Sequence, residues 1–110
     1  MAEQVGEVRA VVFVRDGGCV ALRIDSKAGP CHDAWGSPLG WRVLSGMEMD
    51  YIRKRSTGRR HELASDHVTL CPGHHRGMGA RQGYVWATAH RPELREYLER
   101  WATDDETPTD

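Results

Sequence analysis

The chain has 110 residues with a formal net charge of −1, and 28% of its residues are charged. This length favours one small domain, and no stretch approaches the roughly 20 apolar residues of a membrane-spanning helix. Its three cysteines are an odd number, which fits a disulfide framework poorly. Because no basic, apolar leader follows Met1, we expect a reduced, cytoplasmic protein, a setting in which cysteine–histidine clusters more often bind metal.

The N-terminal segment predicts one regular element, a turn and a short strand. Valines recur at helical spacing through residues 3–15, whereas the β-branched run at residues 11–14 also suits a strand, so the pattern alone leaves this element open. The turn sequence Arg-Asp-Gly-Gly at residues 15–18 ends it. After this turn we expect a short strand over residues 19–24.

The middle of the chain predicts a loop and then a hairpin. Glycine and proline punctuate residues 31–46, which we therefore expect to be mostly loop. The first strand of the hairpin is expected within residues 41–49 and the second at residues 68–70. Between them, residues 53–60 lack apolar periodicity and predict an exposed loop, called the basic loop here. Its five cations are Arg53, Lys54, Arg55, Arg59 and Arg60.

A helix near the C-terminus has the clearest local pattern in the chain. Pro92 suits the first position of a helix, and Glu93 favours the positive end of the helix dipole. An apolar stripe follows at helical spacing and predicts packing against the core. Its members are Leu94, Tyr97, Leu98 and Trp101. Residues 104–110 are acidic and predict a disordered tail, so a single domain is expected over residues 1–103.

Cysteine and histidine spacing predicts a structural zinc site. Cys71 and His74 have the spacing of half a tetrahedral site, and Cys19 and Cys31 are the remaining thiols. Cys19 and Cys31 are farther apart than most ligand pairs, so three buried, inert cysteines are the alternative. We predict Zn²⁺ on these four residues, with His32 as a substitute ligand if His74 faces elsewhere.

The histidine after His74 predicts a second ion. Adjacent histidines on a helix project about 100° apart, so His75 can face another site while His74 completes the zinc site. Asp50 is its natural oxygen partner, because a carboxylate and an imidazole suit a catalytic divalent ion that keeps open positions. An unrelated surface aspartate and histidine are the alternative. The order of these residues along the chain favours the metal site.

In this order the residues resemble the HNH, or ββα-metal, nucleases. The similarity is carried by Asp-Gly-Gly-Cys at residues 16–19, by Asp50, by Val-Thr-Leu-Cys at 68–71 and by Cys-x-x-His-His at 71–75. Residues 86–98 also look like the ending of small HNH proteins of actinobacterial phages. The resemblance implies an α+β fold, a small zinc-stabilised ββα-metal domain with flanking N- and C-terminal helices. It therefore favours a helix for the N-terminal segment.

The resemblance also implies an activity, the metal-dependent hydrolysis of DNA phosphodiester bonds. Zn²⁺ would be structural, and Mg²⁺, Mn²⁺ or another divalent ion would be catalytic and held by Asp50 and His75. The position of the family's general base holds Tyr51, a phenol that accepts a proton poorly at neutral pH. Asp66 aligns with the usual asparagine or histidine, and His67 lies beside it.

Three outcomes stay open at the base position. His67 or His61 reaches the attacking water, Tyr51 acts partly deprotonated, or the site binds metal and DNA but cuts slowly or not at all. The last outcome would make the chain a zinc-stabilised accessory that binds DNA or protein, for instance beside a phage terminase in the host cytoplasm. In either case we expect the basic loop to contact DNA phosphates, with a merely solvated run of charge as the alternative.

Overall fold

The computed structural model describes residues 2–52, 64–77 and 85–101, with side chains from Val8 onwards in the first helix. The helices of this part of the chain are α1 (Ala2–Asp16), α2 (Ala21–Ile24), α3 (Pro72–Arg76), α4 (Trp86–Ala89) and α5 (Arg91–Trp101). The strands are β1 (Glu48–Tyr51) and β2 (His67–Leu70), and 3₁₀ turns span Leu44–Gly46 and Ala64–Asp66. None of the described helices is long and apolar enough to cross a membrane. The basic loop, His61 and the acidic tail lie outside the described residues.

The two strands form an antiparallel hairpin whose register pairs Glu48 with Leu70 and Tyr51 with His67. Side chains alternate along a strand. Glu48 and Asp50 therefore lie on one face of the hairpin, called the acidic face here, while Tyr51 lies on the opposite face. Helix α3 follows β2 directly, so the chain order is strand, strand, helix.

Different helices cover the two faces of this hairpin. Helix α1 packs Val8 and Val12 in a cluster with Met49, on the face opposite the acids. On the acidic face, His75 of α3 contacts Glu48. The hairpin is thus held between α1 and α3, and α3 presents a histidine to the acids.

A buried carboxylate fixes the end of α1. The two oxygens of Asp16 accept hydrogen bonds from the backbone N–H of Thr69 and from the hydroxyl of Tyr97, each at 2.7 Å. The Nε of Arg15 donates to the same carboxylate, also at 2.7 Å. Burial and the neighbouring Asp16 carboxylate raise the pKa of Tyr97 above its ordinary value. Because a buried carboxylate is costly without such donors, this network specifies how α1 meets β2 and α5.

The main hydrophobic core joins the hairpin to α2, α4 and α5. Among its fully buried members are Val20, Val68, Leu70, Leu94 and Leu98. The three cysteines belong to the same cluster. The fold is therefore a small α+β domain in which the three cysteines form part of the apolar core.

The strand predicted over residues 19–24 is wrong, because α2 occupies most of that segment. The N–H of Cys19 donates to the carbonyl of Trp41, and the N–H of Val20 donates to the carbonyl of Thr69. These two hydrogen bonds join adjacent residues to two different segments of the chain, so they do not form a β-ladder with one partner strand. The chain instead closes one turn of helix immediately afterwards.

The remaining elements are close to the predictions. The N-terminal helix, the second strand and the C-terminal helix are confirmed, although α5 begins one residue before Pro92. The first strand begins only at Glu48, since residues 44–46 form a 3₁₀ turn. Trp101 is 56% exposed, so the buried stripe of α5 ends at Leu98 and the prediction for Trp101 is wrong.

Candidate metal centre

Three thiols and one imidazole converge inside the core, in a group called the Cys₃His cluster here. One ligand atom from each of Cys19, Cys31, Cys71 and His74 lies within 4.8 Å of all the others. The Nδ1 of His74 is 3.6 Å, 4.0 Å and 3.1 Å from the three sulfurs in that order. Tetrahedral donors at ordinary zinc bond lengths would be roughly 3.6 Å apart. The cluster is therefore a possible metal site, consistent with structural zinc.

Hydrogen bonds link the four side chains of this cluster and shift their pKa values. All four side chains are buried, and the three thiols are free. Hydrogen bonds to the neighbouring sulfurs, together with burial, raise the pKa of Cys19, whereas hydrogen bonds from the other thiols lower that of Cys71. Burial lowers the pKa of His74, but its bonds to Cys19 and Cys71 outweigh this effect and raise it to about 10. A metal ion would displace the protons that these groups otherwise share.

The ring of His74 is oriented by groups outside the cluster. Its Nε2 donates to the carbonyl of Ala28 at 3.0 Å, which leaves Nδ1 to face the sulfurs. Trp86 packs edge-on against the imidazole, with ring centroids 5.6 Å apart. Trp86 is held in turn by a hydrogen bond to Asp25 and by stacking on His90. Helix α4 therefore supports a ligand that lies on α3.

The Cys71–His74 half of the cluster is built by the start of α3. The Sγ of Cys71 accepts the backbone N–H of His74 at 3.3 Å and so caps the helix. The N–H of Gly73 donates to the carbonyl of His32 at 3.1 Å, and a Cβ on Gly73 would lie only 3.1 Å from that of His32. The absence of a side chain at Gly73 thus lets the loop that carries Cys31 close against α3.

Cys19 enters the cluster through a turn that requires glycine. Gly18 has a φ of +151°, and a Cβ there would collide with the carbonyl oxygen of Trp41. The same carbonyl accepts the N–H of Cys19 at 2.9 Å. The predicted ligand set is therefore brought together, and His32 is not needed because His74 faces the sulfurs.

Helix α3 turns His75 away from the cluster and towards β1. The Nε2 of His75 lies 3.4 Å from Oδ1 of Asp50, and its Nδ1 lies 2.7 Å from Oε1 of Glu48. Oδ2 of Asp50 is buried and has no hydrogen-bond partner among the described residues, and Nη1 of Arg91 is 4.0 Å from it. A buried carboxylate oxygen without a donor is one that a cation would satisfy. Asp50 and His75 therefore fit an ion that needs one oxygen and one nitrogen donor.

The five predicted catalytic residues do not converge on one point. Asp50 and His75 meet on the acidic face, whereas the rings of Tyr51 and His67 lie 5.3 Å apart on the opposite face. Tyr51 is 45% exposed, while His67 and Asp66 are buried. Asp66 belongs to the 3₁₀ turn before β2. The strand alternation thus separates Asp50 and His75 from Tyr51 and His67.

Glu48 and Arg91 lie at the acidic face and were not predicted. Glu48 lies two residues before Asp50, and the two-residue period of a strand places both on one face, so this spacing could have found it. Arg91 donates to the carbonyl of Tyr51 at 3.0 Å from a position 40 residues further along the chain, and no local pattern points to it. The predicted DNA contacts Arg53, Lys54, Arg55, Arg59 and Arg60 lie outside the described residues.

Comparisons of the chain with models of protein families, with curated proteins and with solved structures find no match. The relation to HNH nucleases is therefore the resemblance in residue order, and the geometry around Asp50 and His75 has to be interpreted from its own chemistry.

Proposed function

We propose that this protein is a metal-dependent endonuclease of the HNH type, which hydrolyses DNA phosphodiester bonds. The observation that carries the proposal is the 3.4 Å approach of Asp50 Oδ1 to His75 Nε2 beside the buried Cys₃His cluster. One carboxylate and one imidazole suit a divalent ion that keeps positions for water and substrate. The His75 side chain is 28% exposed, so the face can be reached from solvent.

Residues of the acidic face and of α3 would have separate roles in this reaction. A bound divalent ion would act as a Lewis acid that stabilises charge on the phosphate and on the leaving oxygen. Asp50 and His75 would supply its protein ligands. Helix α3 would keep His75 in place, because Cys71 and His74 hold the same helix to the core. Arg91 adds a positive charge beside Asp50, where a phosphate would approach.

Structural zinc in the Cys₃His cluster is the second part of the proposal. Four protein ligands complete a tetrahedral ion and leave no position for water. The cluster is also buried on all sides. Zinc there would stabilise the domain, and the chemistry would belong to the acidic face alone.

A second function is favoured by one specific observation: residue 51 is a tyrosine, and its side chain points away from Asp50. Tyr51 stands where the HNH nucleases place their general base, and its ring packs near His67 on the face away from Asp50. Losing a general base typically costs about 10²–10⁴-fold in rate. The alternative is therefore a zinc-stabilised module that binds DNA or protein without cutting it, for instance with a terminase in phage DNA packaging.

Cleavage of supercoiled plasmid by the zinc-loaded protein, with and without Mg²⁺ or Mn²⁺, distinguishes the two functions. We expect nicked or linear product only with the added ion, and none from His75→Ala. Glu96→Ala is the control, because Glu96 is an exposed acid that pairs with Arg100 on α5 and contacts neither the acidic face nor the Cys₃His cluster. That variant should cut like the wild type.

Two results would contradict the nuclease. DNA binding without cleavage by the wild type, in any divalent ion and on any DNA form, would leave the binding module. Equal loss of cleavage in His75→Ala and Glu96→Ala would show that the effect of the first variant does not come from the acidic face.

A further inference from the structure

Each nitrogen of the His75 ring faces a different carboxylate of the same strand. Nδ1 lies 2.7 Å from Glu48 Oε1, and Nε2 lies 3.4 Å from Asp50 Oδ1. Glu48 and Asp50 are two residues apart on β1 and therefore share the acidic face. The shorter contact is the one to Glu48, which is not a metal ligand in the proposed nuclease.

The two acids differ in how their oxygens are used. Oε1 of Glu48 also accepts the Nε of Arg76 at 3.0 Å, and Oε2 pairs with the Nη2 of Arg76. Both oxygens of Glu48 thus have donors from α3. Asp50 instead keeps Oδ2 without a hydrogen-bond partner in the described part of the chain. Glu48 is already occupied, and Asp50 is the acid available to an ion.

The contact with Glu48 also decides which nitrogen of His75 can bind a metal. An ionised carboxylate can only accept a hydrogen bond, so Nδ1 is the nitrogen that donates to Glu48. A metal binds the neutral imidazole, which has one N–H, so the lone pair available to the metal is on Nε2. That nitrogen faces Asp50, and a metal ion between the two acceptors would be attracted by both.

We propose that Glu48 is a positioning residue that fixes the ring and the tautomer of His75 for metal binding through Nε2, and that Arg76 holds Glu48 in place. The inference rests on the proposed function, since it concerns the same ion at Asp50 and His75. Carboxylates that support a ligating histidine commonly contribute about 10–100-fold to metal affinity. Glu48 would therefore act on the ion without touching it.

Mn²⁺ binding to the zinc-loaded full chain, followed by electron paramagnetic resonance, tests the role of Glu48. We expect Asp50→Ala to abolish the site and Glu48→Ala to weaken it by roughly 10–100-fold. Glu48→Gln should lose less, because its amide oxygen can still accept the Nδ1–H while the side-chain shape is kept. Glu96→Ala is the control, since Glu96 is an exposed acid that pairs with Arg100 on α5. The Mn²⁺ affinity of this variant should equal that of the wild type.

Long-range ¹H–¹⁵N spectra of the Mg²⁺-loaded protein give a second readout that does not depend on activity. We expect the proton of His75 on Nδ1 in the wild type and a changed tautomer population in Glu48→Ala. If Glu48→Ala binds Mn²⁺ as tightly as the wild type, the role of Glu48 is overturned. A proton on Nε2 of His75 in the wild type would also overturn it. Neither result would contradict the proposed nuclease. Absence of any Asp50-dependent Mn²⁺ binding in the wild type would instead overturn the proposed function itself.

Discussion

Helix α3 carries two adjacent histidines that face two very different surroundings. His74 is buried and points its Nδ1 at three sulfurs, while a backbone carbonyl holds its other nitrogen. His75 is partly exposed, and both of its nitrogens face carboxylates of β1. One step along a helix thus separates a closed donor set from an open one.

The two sites differ in the number of donors that the protein offers to an ion. Four donors in the Cys₃His cluster can satisfy a tetrahedral ion completely, and burial keeps water away. Among the described residues, Asp50 and His75 supply two donors on the acidic face, so an ion there would have positions left for other ligands. The closed cluster is consistent with structural zinc, and it anchors the helix that carries His75. In the proposed function the open face would hold the catalytic ion.

The largest expected effect comes from opening the closed cluster. Because structural zinc contributes apparent binding free energies of about 10–16 kcal/mol, chelation or Cys71→Ser should unfold a domain this small. His32→Ala is the control, since His32 packs beside Gly73 but lies outside the cluster. Elemental analysis should find one tightly bound zinc per chain, and thermal unfolding should shift only in the Cys71 variant. A fully folded protein free of metal would contradict the structural role.

The second prediction concerns how DNA reaches the open face. Replacing the basic loop's Arg53, Lys54, Arg55, Arg59 and Arg60 with neutral residues should weaken DNA binding independently of sequence. Each lost phosphate contact should also lower the slope of log affinity against log salt by about 0.9 on duplex DNA. Fluorescence anisotropy across a salt series measures both quantities. An unchanged slope would mean that the loop is only a solvated run of charge.

The smallest expected effect is at residue 51, and it tests whether the two faces of the hairpin are separate. Tyr51→His introduces a side chain that accepts a proton at neutral pH. Because the side chain of residue 51 leaves on the face away from Asp50, we expect a gain in plasmid cleavage of at most about tenfold, below the 10²–10⁴-fold that a well-placed base supplies. His67→Ala is measured in parallel. A larger gain would show that position 51 reaches the ion.

Local chemistry determined several features from the sequence alone. The apolar stripe of α5 and the acid at its start predicted that helix, since its period and end signals are local. The Cys71–His74 spacing predicted half of the cluster, because both residues belong to one short turn. The divergence of His74 and His75 also followed from helix geometry. In contrast, Trp101 shows that a periodic stripe does not say where the core ends.

Which distant groups meet depends on how the elements pack together. Cys19 reaches the cluster because its backbone bonds to Trp41 rather than continuing a strand, a contact that no local propensity encodes. The pairing of the two strands placed His67 beside Tyr51, with ring centroids 5.3 Å apart. Arg91 of α5 lies beside Asp50 because α5 packs next to the hairpin. Sequence spacing fixes the direction of a side chain within one element, whereas the packing of one element against another depends on burial and hydrogen bonding across the whole chain.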